Sequence, residues 1–395
     1  MKSWKEIVYT IAAIQVGVGV AIMGVVTFIP LFVVELGVTD PGEAAFWSGL
    51  ISGVTPLMIA FTTPWWTLKC EEYGHKKVLL LNLLLMAVLM AASAFARNPG
   101  DLFILRMLQG AAGGFIAIGL SLVAFVTPRE HLPWAMGLFQ AAMVMGITVG
   151  PLTGGVVADT LGYRMPFLVF GGLALFCLGL TAFCIHVNPP AHVKKRESLI
   201  RNFLHFMKNP VVRLMVLLQF LVNFGLTGIG PILPLYVKEM LGSSPIVATI
   251  SGTLMFSAGF LSAMAAIFIG HLVKHYAMGR ILFCGTATTA VLFIVQYMMP
   301  EIWSFGFFRA VTGLSIGVIM PLANTILTMA VPPEEKNIVI GVTSSASLMG
   351  CVAGPVASGA LAMHFGYGAV FWSTAAFFCI AAILIFTRKH MLPER

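Results

Sequence analysis

Charge is scarce in this chain. Asp, Glu, Lys and Arg make up 10% of its 395 residues and hydrophobic side chains 59%, whereas an ordinary soluble domain is about 25% charged. A chain so poor in charge cannot cover a globule with polar surface, and a soluble protein is excluded. The shortage is uneven. All 15 acidic residues fall in loops or at the ends of apolar runs, and the nine histidines do the same. No run therefore holds paired carboxylates, a histidine-rich metal set or a Ser/His/Asp group, and neither an enzyme nor a metal or other cofactor is expected. No G-x-x-x-x-G-K-[ST] segment occurs, so ATP is not the energy source. The net charge of +8 comes with no aromatic-interleaved basic face, which argues against nucleic acid as a partner. The six cysteines lack metal-ligand spacing. Five lie in apolar runs and Cys70 in a short polar loop, so all six are read as small packing residues. The first apolar run is too long for a signal-peptide core, and no cleavage by signal peptidase is expected.

What the chain has instead is length without charge. Twelve apolar runs reach the roughly 20 residues a membrane helix needs: 7–34, 45–66, 78–96, 102–125, 134–158, 165–187, 214–237, 246–272, 281–299, 302–330, 338–365 and 369–386. One long polar connector, 188–213, carries Pro189, Pro190 and the basic run Lys194–Arg196, and splits the runs into six and six. With the N-terminus inside, 18 of the 23 Lys and Arg fall in inner segments, three (Arg97, Arg164, Lys238) in outer loops, and two (Arg106, Arg309) within runs. That asymmetry places both termini in the cytoplasm. The connector reads as an inner-surface segment beside anionic lipid.

The two sets of six repeat in register. Gln15, Pro30 and Glu35 recur as Gln219, Pro234 and Glu239, 204 residues on, and the pair Gly162-Tyr163 recurs as Gly366-Tyr367. Arg106 and Gly110 recur as Arg309 and Gly313, 203 on. The densest repeat is Met145–Gly155, MGITVGPLTGG. Its Gly146, Gly150, Pro151, Gly154 and Gly155 return as Gly350, Gly354, Pro355, Ser358 and Gly359. Glycines four apart strip one helix face of side chains, so a neighbouring helix can approach closely. The proline removes a backbone donor and predicts a bend. An even number of spans per repeat gives both halves one orientation. The expected fold is an all-α membrane protein, with 12 transmembrane helices as two six-helix bundles related by an axis along the membrane normal. The bundles are expected at 1–187 and 214–395.

These features resemble the major facilitator superfamily across essentially the whole chain. The Gly146–Gly155 segment matches the family's antiporter signature. Arg106-Met-Leu-Gln109-Gly110-Ala-Ala-Gly113 is similar to its R-x-x-Q-G-x-G segment, with the second glycine displaced. The loop Thr67–Lys77 is a degenerate copy of the family's G-x-L-A-D-R-x-G-R-K. Glu71 stands for Asp, Glu72 for Arg and His75 for another Arg, while Gly74, Lys76 and Lys77 fit. Phe46-Trp47-Ser48-Gly49 adds a likeness to bacterial drug:proton antiporters. The resemblance implies alternating access, with the two glycine–proline segments as gating helices and Glu71, Gly74, Lys76 and Lys77 as a cytoplasmic latch. The plainer reading of the glycines is close packing without movement.

Polar side chains inside spans are costly unless they face a cavity or a partner. Gln15, Arg106, Gln109, Gln140, Gln219, Asn223, Arg309 and Asn324 are therefore the candidate substrate contacts, with interhelical hydrogen bonding as the alternative for each Gln or Asn. The arginines admit further readings: snorkelling to outer headgroups, or symmetric ion pairs of Glu35 with Arg106 and Glu239 with Arg309. Proton coupling normally uses a buried carboxylate. None lies in mid-span, and Glu35, Asp159 and Glu239 at span ends are the nearest candidates. The expected function is proton-coupled export of a small amphipathic compound across the inner membrane by a monomer. An uncoupled facilitator, a carrier of an anionic metabolite or metallophore, and a non-transporting sensor or assembly protein are the alternatives.

Overall fold

In the computed structural model of the chain, residues 4–187, 206–242, 244–332, 335–388 and 391 are described. The connector at 188–205 and the side chain of Glu71 lie outside them. Fourteen helices follow in order: α1 Trp4–Val26, α2 Ile29–Glu35, α3 Pro41–Tyr73, α4 His75–Ser93, α5 Pro99–Ala111, α6 Phe115–Val126, α7 Leu132–Leu161, α8 Met165–Cys184, α9 Pro210–Gly228, α10 Leu233–Leu241, α11 Val247–His275, α12 Met278–Met298, α13 Ile302–Met329 and α14 Lys336–Thr387. No strand occurs among the described residues.

Twelve expected runs become fourteen helices because three runs are interrupted. The first breaks at 27–28, the fourth at 112–114 and the seventh at 229–232. The last two runs join instead into the 52-residue α14, which holds one non-helical residue, Gly366 at φ 76° and ψ 173°. Gly162, its repeat mate, ends α7 at φ 85° and ψ 160°. Both adopt a conformation that side chains disfavour, so α14 is two spans meeting at a glycine corner. The bend expected at Pro151 does not break α7, which stays helical throughout. Cys70, expected in a loop, is the buried end of α3.

Large apolar side chains cover the outside. Trp303, Phe183 and Ile267 are 85%, 81% and 76% exposed, a surface that suits lipid rather than water. The chain is an integral membrane protein.

The described residues form two compact units. The first holds 1–39, 54–195 and 245–256, and the second 40–53, 196–244 and 257–395. Inside the first, Phe167 meets Phe28 at 5.1 Å and Phe32 at 5.5 Å between ring centroids. Inside the second, Phe371, the repeat mate of Phe167, meets Tyr236 at 5.1 Å and Tyr297 at 5.8 Å.

The glycine faces organise each unit. In the first, α7 lies on α1: a methyl at Gly146 would stand 2.8 Å from the Val16 carbonyl, and one at Gly150 2.9 Å from Met23 Cβ. Gly154 lies against the Gly24 backbone, and Gly155, turned to the next face, against Ala248. In the second, α14 lies on α9. A methyl at Gly350 would stand 2.6 Å from the Phe220 carbonyl, and Gly354 abuts that of Phe224. Gly359 occupies the place of Gly155, where a methyl would stand 2.7 Å from the Ala45 carbonyl. Backbone meets backbone because no side chain intervenes.

Gly137, on the same helix as Gly154, has nothing within 4 Å of the position a Cβ would take. Gly137→Ala should therefore hold or raise the melting temperature of the detergent-purified protein. Gly154→Ala should destabilise by roughly 1–3 kcal/mol through overpacking. Equal melting temperatures for the two variants would show that the close approach carries no stability.

Candidate functional site

Two clusters of polar side chains within the helices hold most of the sequence candidates, one in each unit. The first is built on the interruption between α5 and α6. Asn98 starts α5 by accepting from the Asp101 N–H at 2.9 Å, with Pro99 in the first turn. Arg106 and Gln109, one turn apart, share a face. Arg106 Nη1 donates to Gln109 Oε1 at 2.5 Å, and Gln109 Nε2 donates to Met90 Sδ at 3.3 Å. Both side chains are buried, Arg106 being 4% exposed. The helix stops at Ala111, which frees carbonyls that lipid cannot satisfy. Trp66 Nε1 donates to the Ala111 carbonyl at 2.8 Å, and Asn82 Nδ2 donates to that of Ala112. Thr55 Oγ1 donates to the Arg106 carbonyl at 3.3 Å. Arg106, Gln109, Asn82 and Thr55, with apolar walls from Ile22, Ile59 and Met86, line a cavity of about 80 Å³.

The second place is in the other unit, where α9 meets α13 and α14. Gln219 uses both ends of its amide. Its Nε2 donates to Asn324 Oδ1 at 2.8 Å, and its Oε1 accepts from Ser347 Oγ at 2.8 Å. One turn on, Asn223 Nδ2 donates to the Gln219 carbonyl at 2.8 Å, and Cys351 Sγ lies 3.6 Å from Asn223 Oδ1. Gln219 is buried, Asn223, Ser347 and Cys351 are half-buried, and Asn324 is exposed. The cluster thus runs from a fixed interior to an open edge, and it can hydrogen-bond a neutral polar group.

The remaining sequence candidates are scattered. Gln15, the repeat mate of Gln219, is buried, and its Oε1 has no hydrogen-bond partner. Gln140 is exposed and joins neither cluster. Arg309 is buried with its guanidinium 5.8 Å from the centre of the Phe293 ring, a cation–π contact. The symmetric ion pairs do not form among the described residues. Glu35 lies 3.9 Å from Arg164 instead, and both side chains are nearly half exposed. Arg164 also donates from Nη1 to the carbonyls of Ala94 at 2.6 Å and Ala96 at 3.0 Å. It stands at the helix corner with Glu35, whereas Arg106 is buried two turns inside α5. Glu239 is exposed.

Asp159, near the end of α7, accepts from the N–H groups of Ala248 (Oδ1, 3.2 Å) and Thr249 (Oδ2, 2.6 Å). It caps the N-terminus of α11, where a carboxylate is favoured by the orphan donors and the helix dipole. Burial, then the carboxylates of Asp159 and Glu35, push the neighbouring Tyr163 phenol up. In the expected latch, Gly74 turns the chain at φ 86°, Lys76 Nζ donates to the Ala182 carbonyl at 2.7 Å, and Lys77 is exposed. Glu72 pairs with Lys69 at 2.6 Å, a local contact that holds its carboxyl below the usual range.

Trp66, Asn82, Thr55, Ser347 and Cys351 were not among the residues singled out for these sites. Asn82, lone in the otherwise apolar third run, carried the same signal as Gln15. The role of Trp66 depends on a helix break that no sequence period announces.

The chain matches the Major Facilitator Superfamily over residues 11–294 and 215–395. It is 32% identical over 366 residues to the multidrug resistance protein MdtG of Salmonella dublin, covering 92% of this chain and 91% of that protein. It is 30% identical over 378 residues to MdtG of Escherichia fergusonii, covering 95% and 92%. Among solved structures, an inward-facing bacterial homolog of the human lysosomal transporter Spinster superposes with a TM-score of 0.79 at 14% identity, covering 99% of this chain and 98% of that one. A D-xylose-proton symporter gives 0.72 at 16% identity, covering 99% and 98%. With helices, repeat and sequence in agreement over nearly its whole length, the chain belongs to the Major Facilitator Superfamily.

Proposed function

We propose that this secondary transporter exports small amphipathic compounds by alternating access, driven by protons. The observation that carries the proposal is the match to proteins named for multidrug resistance, at 30–32% identity over more than nine-tenths of both chains. The site chemistry supports it. In the second unit, the amide and hydroxyl cluster around Gln219 runs from a buried interior to an open edge and offers hydrogen bonds to a polar group of such a compound. The bundles 1–187 and 214–395, joined by 188–213, are the bodies proposed to move. Both termini lie in the cytoplasm, the membrane is the inner one, and the protein works as a monomer.

Gly146, Gly150, Gly154 and Gly155, with Gly350, Gly354 and Gly359, supply smooth faces on which helices slide, and Pro151 and Pro355 weaken the backbone ladder beside them. Gln219, Asn223 and Asn324 contact the substrate. Asp159 is the proposed coupling group. Its carboxylate holds two backbone donors of α11, and protonation would weaken both bonds, so proton binding and helix release are linked.

Purified protein in liposomes, loaded with a fluorescent amphipathic drug, should transport faster with an imposed pH gradient than without one. Equal rates would sink proton coupling and leave an uncoupled facilitator. Asp159→Asn, which removes one acceptor at constant size, should lose the response to the gradient while retaining exchange at zero gradient.

Gln219→Ala strands the amide of Asn324 and the hydroxyl of Ser347. It should lower kcat/KM about tenfold, a loss of about 1.4 kcal/mol. Gln140→Ala, outside both clusters, should leave the rate unchanged. If the two variants behave alike, the Gln219 cluster is structural only.

A further inference from the structure

We propose that the break between α5 and α6 is an anion-binding site with Arg106 at its base, taking a compact monoanion such as a halide or a carboxylate group. Two independent features converge there. The first is the start of the 12-residue helix α6. Its N-cap is Gly114, which offers no side-chain cap, and residues 115–117, the first turn, line the cavity. First-turn N–H groups have no intrahelical partner, and the helix dipole adds positive potential where they end.

The second feature is Arg106 itself. It lines the same cavity, is 4% exposed, and its Nε is buried with no hydrogen-bond partner. Its one recorded side-chain acceptor is the neutral Gln109 Oε1. Among the described residues no carboxylate lies within ion-pair distance of it. A guanidinium does not deprotonate in proteins, and a buried unpaired charge is strongly unfavourable. The neutral Gln109 leaves the guanidinium charge uncompensated, and an anion in the cavity compensates it.

The other polar groups at the cavity reinforce its sign. Asn82 and Thr55 spend their donors on the carbonyls of Ala112 and Arg106, which removes those acceptors from competition with an anion. The apolar wall of Ile22, Ile59 and Met86 excludes bulk water and strengthens what remains. A volume of about 80 Å³ admits a halide, or a carboxylate with a short chain.

Arg309, its repeat mate, is the internal control. It is equally deep, but the face of Phe293 stands 5.8 Å from its guanidinium, whereas the residue at the corresponding place beside Arg106 is Met90. One arginine has an aromatic face in place of an anion; the other has a cavity.

The test is the melting temperature of the detergent-purified full chain as sodium chloride, bromide or butyrate replaces isethionate at constant ionic strength. The wild type should show a saturable rise of roughly 3 °C. Arg309→Gln should keep that rise, and Arg106→Gln should lose it. A response to the halides identifies an inorganic counter-ion; a response to butyrate alone identifies the carboxylate of a carried compound, and that arm rests on the transport reading. Bromide soaked into wild-type crystals, which needs no variant, should give an anomalous peak in the cavity beside the Arg106 guanidinium if halides respond. The site is overturned if none of the three anions raises the wild-type melting temperature, or if Arg106→Gln responds as fully as wild type. Because binding is measured without transport, that result leaves the liposome experiment to stand or fall alone.

Discussion

In lipid, a backbone group that leaves the helical ladder has no water to turn to, and this constraint explains most of the non-obvious residues. The described helices are interrupted at three places inside spans, at 27–28, 112–114 and 229–232. At the second, the freed carbonyls of Ala111 and Ala112 are taken by an indole from α3 and an amide from α4. Those two bonds fix α3 and α4 against the break and set the cavity walls. The donors beyond the break, at the start of α6, receive no such side-chain partner. The carbonyl side of the interruption is closed and the N–H side is left open. A break satisfied on one side only is a polarised feature, and its polarity is positive.

Duplication supplies the scaffold twice but not its chemistry. The glycine faces repeat with one change, Ser358 for Gly154, and the positive-φ corner repeats at Gly162 and Gly366. Polar content does not follow. Gln219 sits among Asn223, Asn324 and Ser347, whereas Gln15 is buried with its carbonyl oxygen unpartnered. Each unit thus buries one arginine, whereas the neutral hydrogen-bonding cluster around Gln219 has no counterpart around Gln15. Packing positions must stay small in both copies because backbone lies against backbone.

That difference also decides what the sequence made legible. Span number, the repeat and the close-approach glycines were readable because each rests on a local quantity: hydropathy over about 20 residues, or absence of a side chain at fixed spacing. The three interruptions were not, since hydropathy does not distinguish a helix from a helix with a capped gap. Yet one trace was present. The second glycine of the R-x-x-Q-G-x-G segment is displaced from position 112 to Gly113, and the break occupies 112–114. Added methyls at Gly113 and Gly114 would each stand 2.7 Å from Ile59 and Trp66 respectively. The departure from the family pattern thus marks the feature that the pattern itself could not announce. The sequence left the partners of Glu35 and Arg106 open for a different reason. Span-end proximity in sequence says nothing about rotation around the helix, and Arg164 at the Gly162 corner was nearer.

The scarcity of acids in the spans, first a puzzle about coupling, acquires a physical sense beside the two buried arginines. A carboxylate next to a buried guanidinium is held ionised, which makes it a poor place to load a proton near neutral pH. A mid-span acid paired with Arg106 would therefore have fixed the charge rather than switched it. With no such acid, each arginine keeps an unpaired Nε, and a mobile anion rather than a protein carboxylate is what can complete the first. Titratable groups are displaced to span ends, where Asp159 holds the start of α11 and water can deliver protons. On the proposed coupling, charge compensation inside and protonation at the rim are separate tasks, assigned to Arg106 and Asp159.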